Sequence, residues 1–131
     1  MPIDDLNVDT LAVAVAQRLL TLGTPIPYDS IRAATATDAS GGVDHLQRFW
    51  QSTFGRQIAM VQIMLSPLSA AGVYRIDGSP IGSETDGLFI PSGGGVIYLR
   101  SFDEARSFRM RANTGGTITF SAQAYRFGWD R

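Results

Sequence analysis

The feature that most constrains this chain is its punctuation after Gly55. Short apolar or alternating runs are parted by Gly- and Pro-rich turns at intervals of roughly ten residues, and no helical period lies between them. The runs fall at residues 57–65, 72–76, 87–90, 96–100, 107–111 and 117–127. The last is the clearest: Ile118, Phe120, Ala122 and Ala124 alternate with Thr117, Thr119, Ser121 and Gln123, which is the signature of a strand with one buried face. In residues 107–111, Phe108 and Met110 share one side while Arg109 and Arg111 share the other. Strands joined without intervening helices pair antiparallel. The expected fold is therefore mainly β: a small antiparallel β-sandwich or barrel.

The first 55 residues follow a different pattern. Leu11, Val15, Leu19 and Leu22 form an apolar stripe that predicts a helix over residues 8–22. Asn7 is placed to cap it, Gly23 to end it, and Pro25 and Pro27 prevent its return. Residues 24–43 are rich in Pro, Thr, Ala, Ser and Gly and show no period. They are read either as disordered or as an extended arm laid over some other surface. Residues 44–54 suit a short helix, with Leu46, Phe49 and Trp50 on one face and Phe54 a turn later. The expected organisation is an N-terminal helix and arm over residues 1–55 and an antiparallel β-domain over residues 56–131.

Composition narrows the chemistry. With no Cys, disulfides, thiolate metal sites and cysteine nucleophiles are excluded. All eleven basic residues are Arg and the formal net charge is −1, so no global basic field recruits nucleic acid. The acidic start, MPIDDLNVD, lacks the charged n-region of a signal peptide, and the longest apolar run is far short of a membrane span. The expectation is a protein made in the cytoplasm, with no membrane partner and no specific nucleic-acid partner.

The triplet Gly93 to Gly95 is the one stretch that suggests a phosphate loop. Such a loop needs a helix after the glycines and prefers Gly-Lys-Ser/Thr. Here a strand pattern, Val-Ile-Tyr-Leu, follows and the chain has no Lys. The triplet is read instead as a hairpin tip, with glycines supplying positive φ. His45, the only histidine, has Asp44 beside it and Ser40 and Ser52 nearby, but no Gly-x-Ser-x-Gly elbow supports a catalytic triad, and it is read as a surface or interface residue. Asp77, Glu84 and Asp86 are carboxylates in turn segments without EF-hand spacing, and they are read as solvated. Arg100, Arg106, Arg109 and Arg111 are read as a solvated face balanced by Asp103 and Glu104. The chain is expected to be no enzyme, with no catalytic residues, cofactor or metal. Tyr125, Phe127 and Trp129 continue the polar face of the last strand, so they are either covered by the N-terminal segment or offered to another chain.

The segment GLFIPSGGGVIYLRSFDEARSFRMRANTGGTITFSAQAYRF resembles the C-terminal part of small accessory virion proteins of tailed bacteriophages. The matching pieces are Ile90-Pro91, Gly93 to Gly95, the strand Ser107 to Ala112, the turn Gly115-Gly116 and the strand Thr117 to Phe120, within about the last 45 residues. The resemblance implies a virion structural role, foremost a capsid decoration or cement protein. Its partners would be the major capsid protein or other virion proteins and further copies of itself, in a homo-oligomer. The candidate interface residues are Leu11, Val15, Leu19, Leu22, Trp50, Tyr125, Phe127 and Trp129. The alternative is a tail or receptor-binding β-module that recognises a surface glycan by stacking sugars on Trp50, Tyr125 and Trp129.

Overall fold

A computed structural model describes residues 25–128. The strands are β1 (Ile26–Thr37), β2 (Ile58–Leu65), β3 (Gly72–Arg75), β4 (Leu88–Ile90), β5 (Gly95–Leu99), β6 (Arg109–Ala112) and β7 (Thr117–Arg126). Two short helices accompany them, α1 (Gln47–Trp50) and α2 (Phe102–Ser107), with a 3₁₀ turn at Gly55–Gln57. The strands form two antiparallel sheets, one of four strands in the order β1-β7-β2-β5 and one of three in the order β4-β3-β6. Among the described residues no helix is long and apolar enough to cross a membrane.

The alternation in the last strand decides its place. In β7 the residues Ile118, Phe120, Ala122 and Ala124 are buried, and the residues between them face outward. β7 is a central strand, paired on one side with β1 and on the other with β2. The core under it is filled by Leu46, Phe49, Val61, Ile63, Leu99, Phe108, Met110, Ile118 and Phe120. Phe108 and Met110 point into that core as their spacing predicts, and α1 contributes Leu46 and Phe49.

β1 settles the reading of most of the stretch over residues 24–43. Of the two alternatives, disorder or an extended segment laid on another surface, the structure gives the second, and the surface is the chain's own last strand. Residues 26–37 pair with β7 over its whole length, from Ile26 opposite Arg126 to Thr37 opposite Thr117. The strand lies upstream of residue 55 yet belongs to the same sheet as β2 and β7. It carries an irregularity between Ile31 and Ala34, where Ala33 takes φ 55° and its amide donates to the Ser121 hydroxyl at 3.2 Å. Left-handed backbone at an alanine is strained, and the bulge it makes twists an edge strand.

α2 has no counterpart among the expected elements, although its signal is present. Ser101 accepts a hydrogen bond from the Glu104 amide at 3.1 Å, and the Glu104 carboxylate accepts from the Arg100 amide at 2.8 Å. This is close to the Ser-x-x-Glu capping box. Glu104 thus serves as a cap at the start of α2.

A candidate protein-interaction edge

The sandwich has four edge strands, and three of them, β4, β5 and β6, follow one another in sequence. β4 ends the three-stranded sheet and β5 ends the four-stranded one. The glycine triplet joins them. This corrects its reading as a hairpin tip: β4 and β5 lie in different sheets, so the turn carries the chain across the sandwich. The crossing explains the glycines. Gly93 and Gly94 take φ of 95° and 96°, and a Cβ on Gly94 would sit 3.0 Å from the Leu65 carbonyl oxygen and 3.2 Å from Pro67. The Gly93 amide also donates to the Ser69 carbonyl at 3.2 Å.

Residues 88–99 contain no charged side chain. Phe89 is 69% exposed, Tyr98 52% and Met64 55%, with Leu88 and Val96 exposed beside them. Strand pairing brings three of these together, because Met64 lies opposite Val96 and Gln62 opposite Tyr98 on the outer face of the four-stranded sheet. An open depression of about 300 Å³, lined by Ala33, Met64, Ser66, Pro67, Thr119 and Ser121, continues that face. Edge strands usually carry a charge, a proline or a cover that blocks pairing with another chain. Five uncharged residues of β5 carry none of these, and among the described residues no strand lies on their far side.

The residues singled out for chemistry are used elsewhere. His45 is half-buried. It is wedged edge-on against Phe120, with ring centroids 5.7 Å apart, and against Phe108 at 6.3 Å. Its Nε2 lies 3.0 Å from the Met110 carbonyl oxygen, which can only accept, so Nε2 is the donor. Burial lowers its pKa, against the raising effect of its backbone bonds and of Asp44. The nearby hydroxyls do not form a nucleophile pair with it: Ser40 accepts from the Thr37 amide and Ser52 from the Phe54 amide.

The turn carboxylates are engaged by protein groups. Arg75 holds Asp77 and Asp86 in separate ion pairs, and its bonds bring the Asp77 pKa down to about 2. The Glu84 carboxylate accepts from the Thr114 amide. Among the described residues no group of three or more His, Cys, Asp or Glu could hold a metal ion. Of the Arg residues, Arg100 and Arg106 are exposed and Arg109 and Arg111 half-buried. Arg106 lies over the Trp50 ring at 5.6 Å, and Arg109 donates to the carbonyls of Arg106 and Phe108.

The sequence-derived interface residues divide. Leu11, Val15, Leu19, Leu22 and Trp129 lie outside the described residues. Trp50 is half-buried, its Nε1 donating to Asp44 at 2.8 Å and its ring edge-on to Phe102. Tyr125 is half-buried on the outer face, opposite Pro27 and Met60. Phe127 is also half-buried, and its amide donates to the Gln57 carbonyl at 3.0 Å. Tyr125 therefore shares a sheet face with Met64, Val96 and Tyr98, while Trp50 packs against the core. The exposed edge residues were missed because edge position depends on strand order. The absence of charge over residues 88–99 was the one signal that could have found them.

No protein-family model, curated protein or solved structure matches this chain.

Proposed function

We propose that this chain is a non-enzymatic structural protein of a virion, a capsid decoration or cement protein that binds and stabilises the major capsid shell. The observation that carries the proposal is the uncharged edge from β4 to β5, where exposed Leu88, Phe89, Val96 and Tyr98 follow one another within residues 88–99 without a blocking charge. Apolar anchors beside open strand edges suit attachment to neighbouring proteins through backbone bonds and side-chain pockets. A symmetric shell would multiply such contacts, so each one need only be weak. The sequence resemblance to accessory virion proteins adds the setting. Against the glycan-binding alternative stands the engagement of Trp50 with Asp44, Arg106 and Phe102, which leaves its ring poorly placed to stack a sugar.

The test is the composition of purified phage particles that encode the chain. The proposal expects the chain at a fixed ratio to the major capsid protein, and lower heat resistance in particles lacking it. Particles without the chain in their purified form would overturn it.

A further inference from the structure

The open edge of β5 has a property that an edge for unrelated partners would not need: it is complementary to itself. Laid antiparallel on a second copy and centred on Ile97, all five residues of β5 find a partner. Gly95 falls opposite Leu99, Val96 opposite Tyr98, and Ile97 opposite its own counterpart. Shifting the centre to Val96 or to Tyr98 leaves only three strand residues paired. In the centred register the shared outer face gains two pairs of a β-branched residue with an aromatic one, a favourable cross-strand combination. The nearest charge, Arg100, falls opposite Gly94, so no like charges meet. The core face stays continuous as well, because Ile97 and Leu99 are buried on one side and Val96 and Tyr98 exposed on the other.

We propose that β5 pairs antiparallel with β5 of a second copy about a two-fold axis at Ile97. This joins two four-stranded sheets into one of eight strands. The contact is isologous, so it closes on itself as a dimer and does not grow into a fibre. It removes both β5 edges from solvent and buries the exposed Val96 and Tyr98 of each copy. Leu88 and Phe89, reached through the four-residue crossing, remain for a different partner. The inference rests on reading this edge as an interaction surface and not on the virion setting.

The chain has no cysteine of its own, which makes the register directly testable. In the centred register the Cα atoms of residues 96 and 98 from opposite copies are directly across from each other, about 5 Å apart. Residue 96 is about 8 Å from its own counterpart, beyond the roughly 7 Å limit for a disulfide. The double variant V96C/Y98C, and an equal mixture of the single variants V96C and Y98C, should cross-link under oxidised glutathione. Each single variant alone should do so at least about tenfold less. Both positions are exposed, and circular dichroism checks that the variants fold. In parallel, sedimentation equilibrium should show a dimer for the natural chain, with Val96→Lys weakening it at least about tenfold. Equal cross-linking in the singles, no cross-linking in the double variant, or a natural chain that stays monomeric at the highest soluble concentration would each overturn the pairing. None of these outcomes bears on whether the chain is present in purified particles, so the virion reading stands or falls separately.

Discussion

Gly72 offers the sharpest test of how the two sheets are held. It is the first residue of β3, buried, and paired with Ala112 of β6 and Ile90 of β4. A Cβ there would lie 2.3 Å from the Arg111 carbonyl oxygen, 2.7 Å from Ile118 Cδ1 and 3.1 Å from Ala112 Cα. Ordinary carbon–oxygen contacts begin near ~3.3 Å, so the overlap with the carbonyl is about 1 Å. That oxygen is backbone in the neighbouring strand and cannot swing away as a side chain can. The strands must part, and the substitution should cost the upper end of the overpacking range, about 3 kcal/mol. With a urea dependence of about 2 kcal/mol per molar, the midpoint of Gly72→Ala should fall by about 1.5 M. Gly82 is the control, since nothing lies within 4 Å of its would-be Cβ. Gly82→Ala should shift stability by no more than about 0.5 kcal/mol. Adding Ile118→Val to Gly72→Ala removes the Cδ1 contact but not the carbonyl contact, so it should not restore the natural midpoint. If Gly72→Ala and Gly82→Ala unfold at the same urea concentration, the close approach of β3 and β6 at this point is wrong.

Two further predictions follow from side chains in the described region. His45 has a lowered pKa in the fold, so the unfolded chain takes up its proton first. Its contribution is complete above the unfolded value of 6.5 and is lost as pH falls from there through the folded pKa. His45→Gln should flatten the dependence of the urea midpoint on pH in that window, and an unchanged dependence would remove His45 as its source. Ser101→Ala deletes the side-chain cap of α2 and should cost about 1 kcal/mol by the same assay, with Ser101→Asp retaining most of the stability. Equal losses in both variants would point away from capping.

Much of the β-domain could be read locally because half-buried strands write their burial into the sequence. The alternation Ile118, Phe120, Ala122, Ala124 appears as a period of two because the core face of β7 is dry and the other is not. The same holds for Phe108 and Met110 around β6. α2 was legible in principle through Ser101 and Glu104, but a six-residue helix is too short to show a hydrophobic period. His45 looked like a surface residue because one histidine beside an aspartate carries no sign of burial. Its place between Phe108 and Phe120 comes from residues more than sixty positions away.

By itself the sequence determined that this is an antiparallel β protein, which segments form most of its strands, and which side chains of β6 and β7 face the core. Those properties belong to single strands and their turns. Only the tertiary structure decided that residues 26–37 are a strand. Ala36 is the one fully buried residue of β1, and its half-buried core contacts, Tyr28, Ile31 and Ala34, straddle register shifts, so the segment shows no apolar period; its backbone ladder runs to a strand about ninety residues away. The tertiary structure also turned the glycine triplet into a crossing between sheets and left β5 at an edge. Whether a strand has one neighbour or two is fixed by the order of all the strands together, and GVIYL has the same sequence in either place.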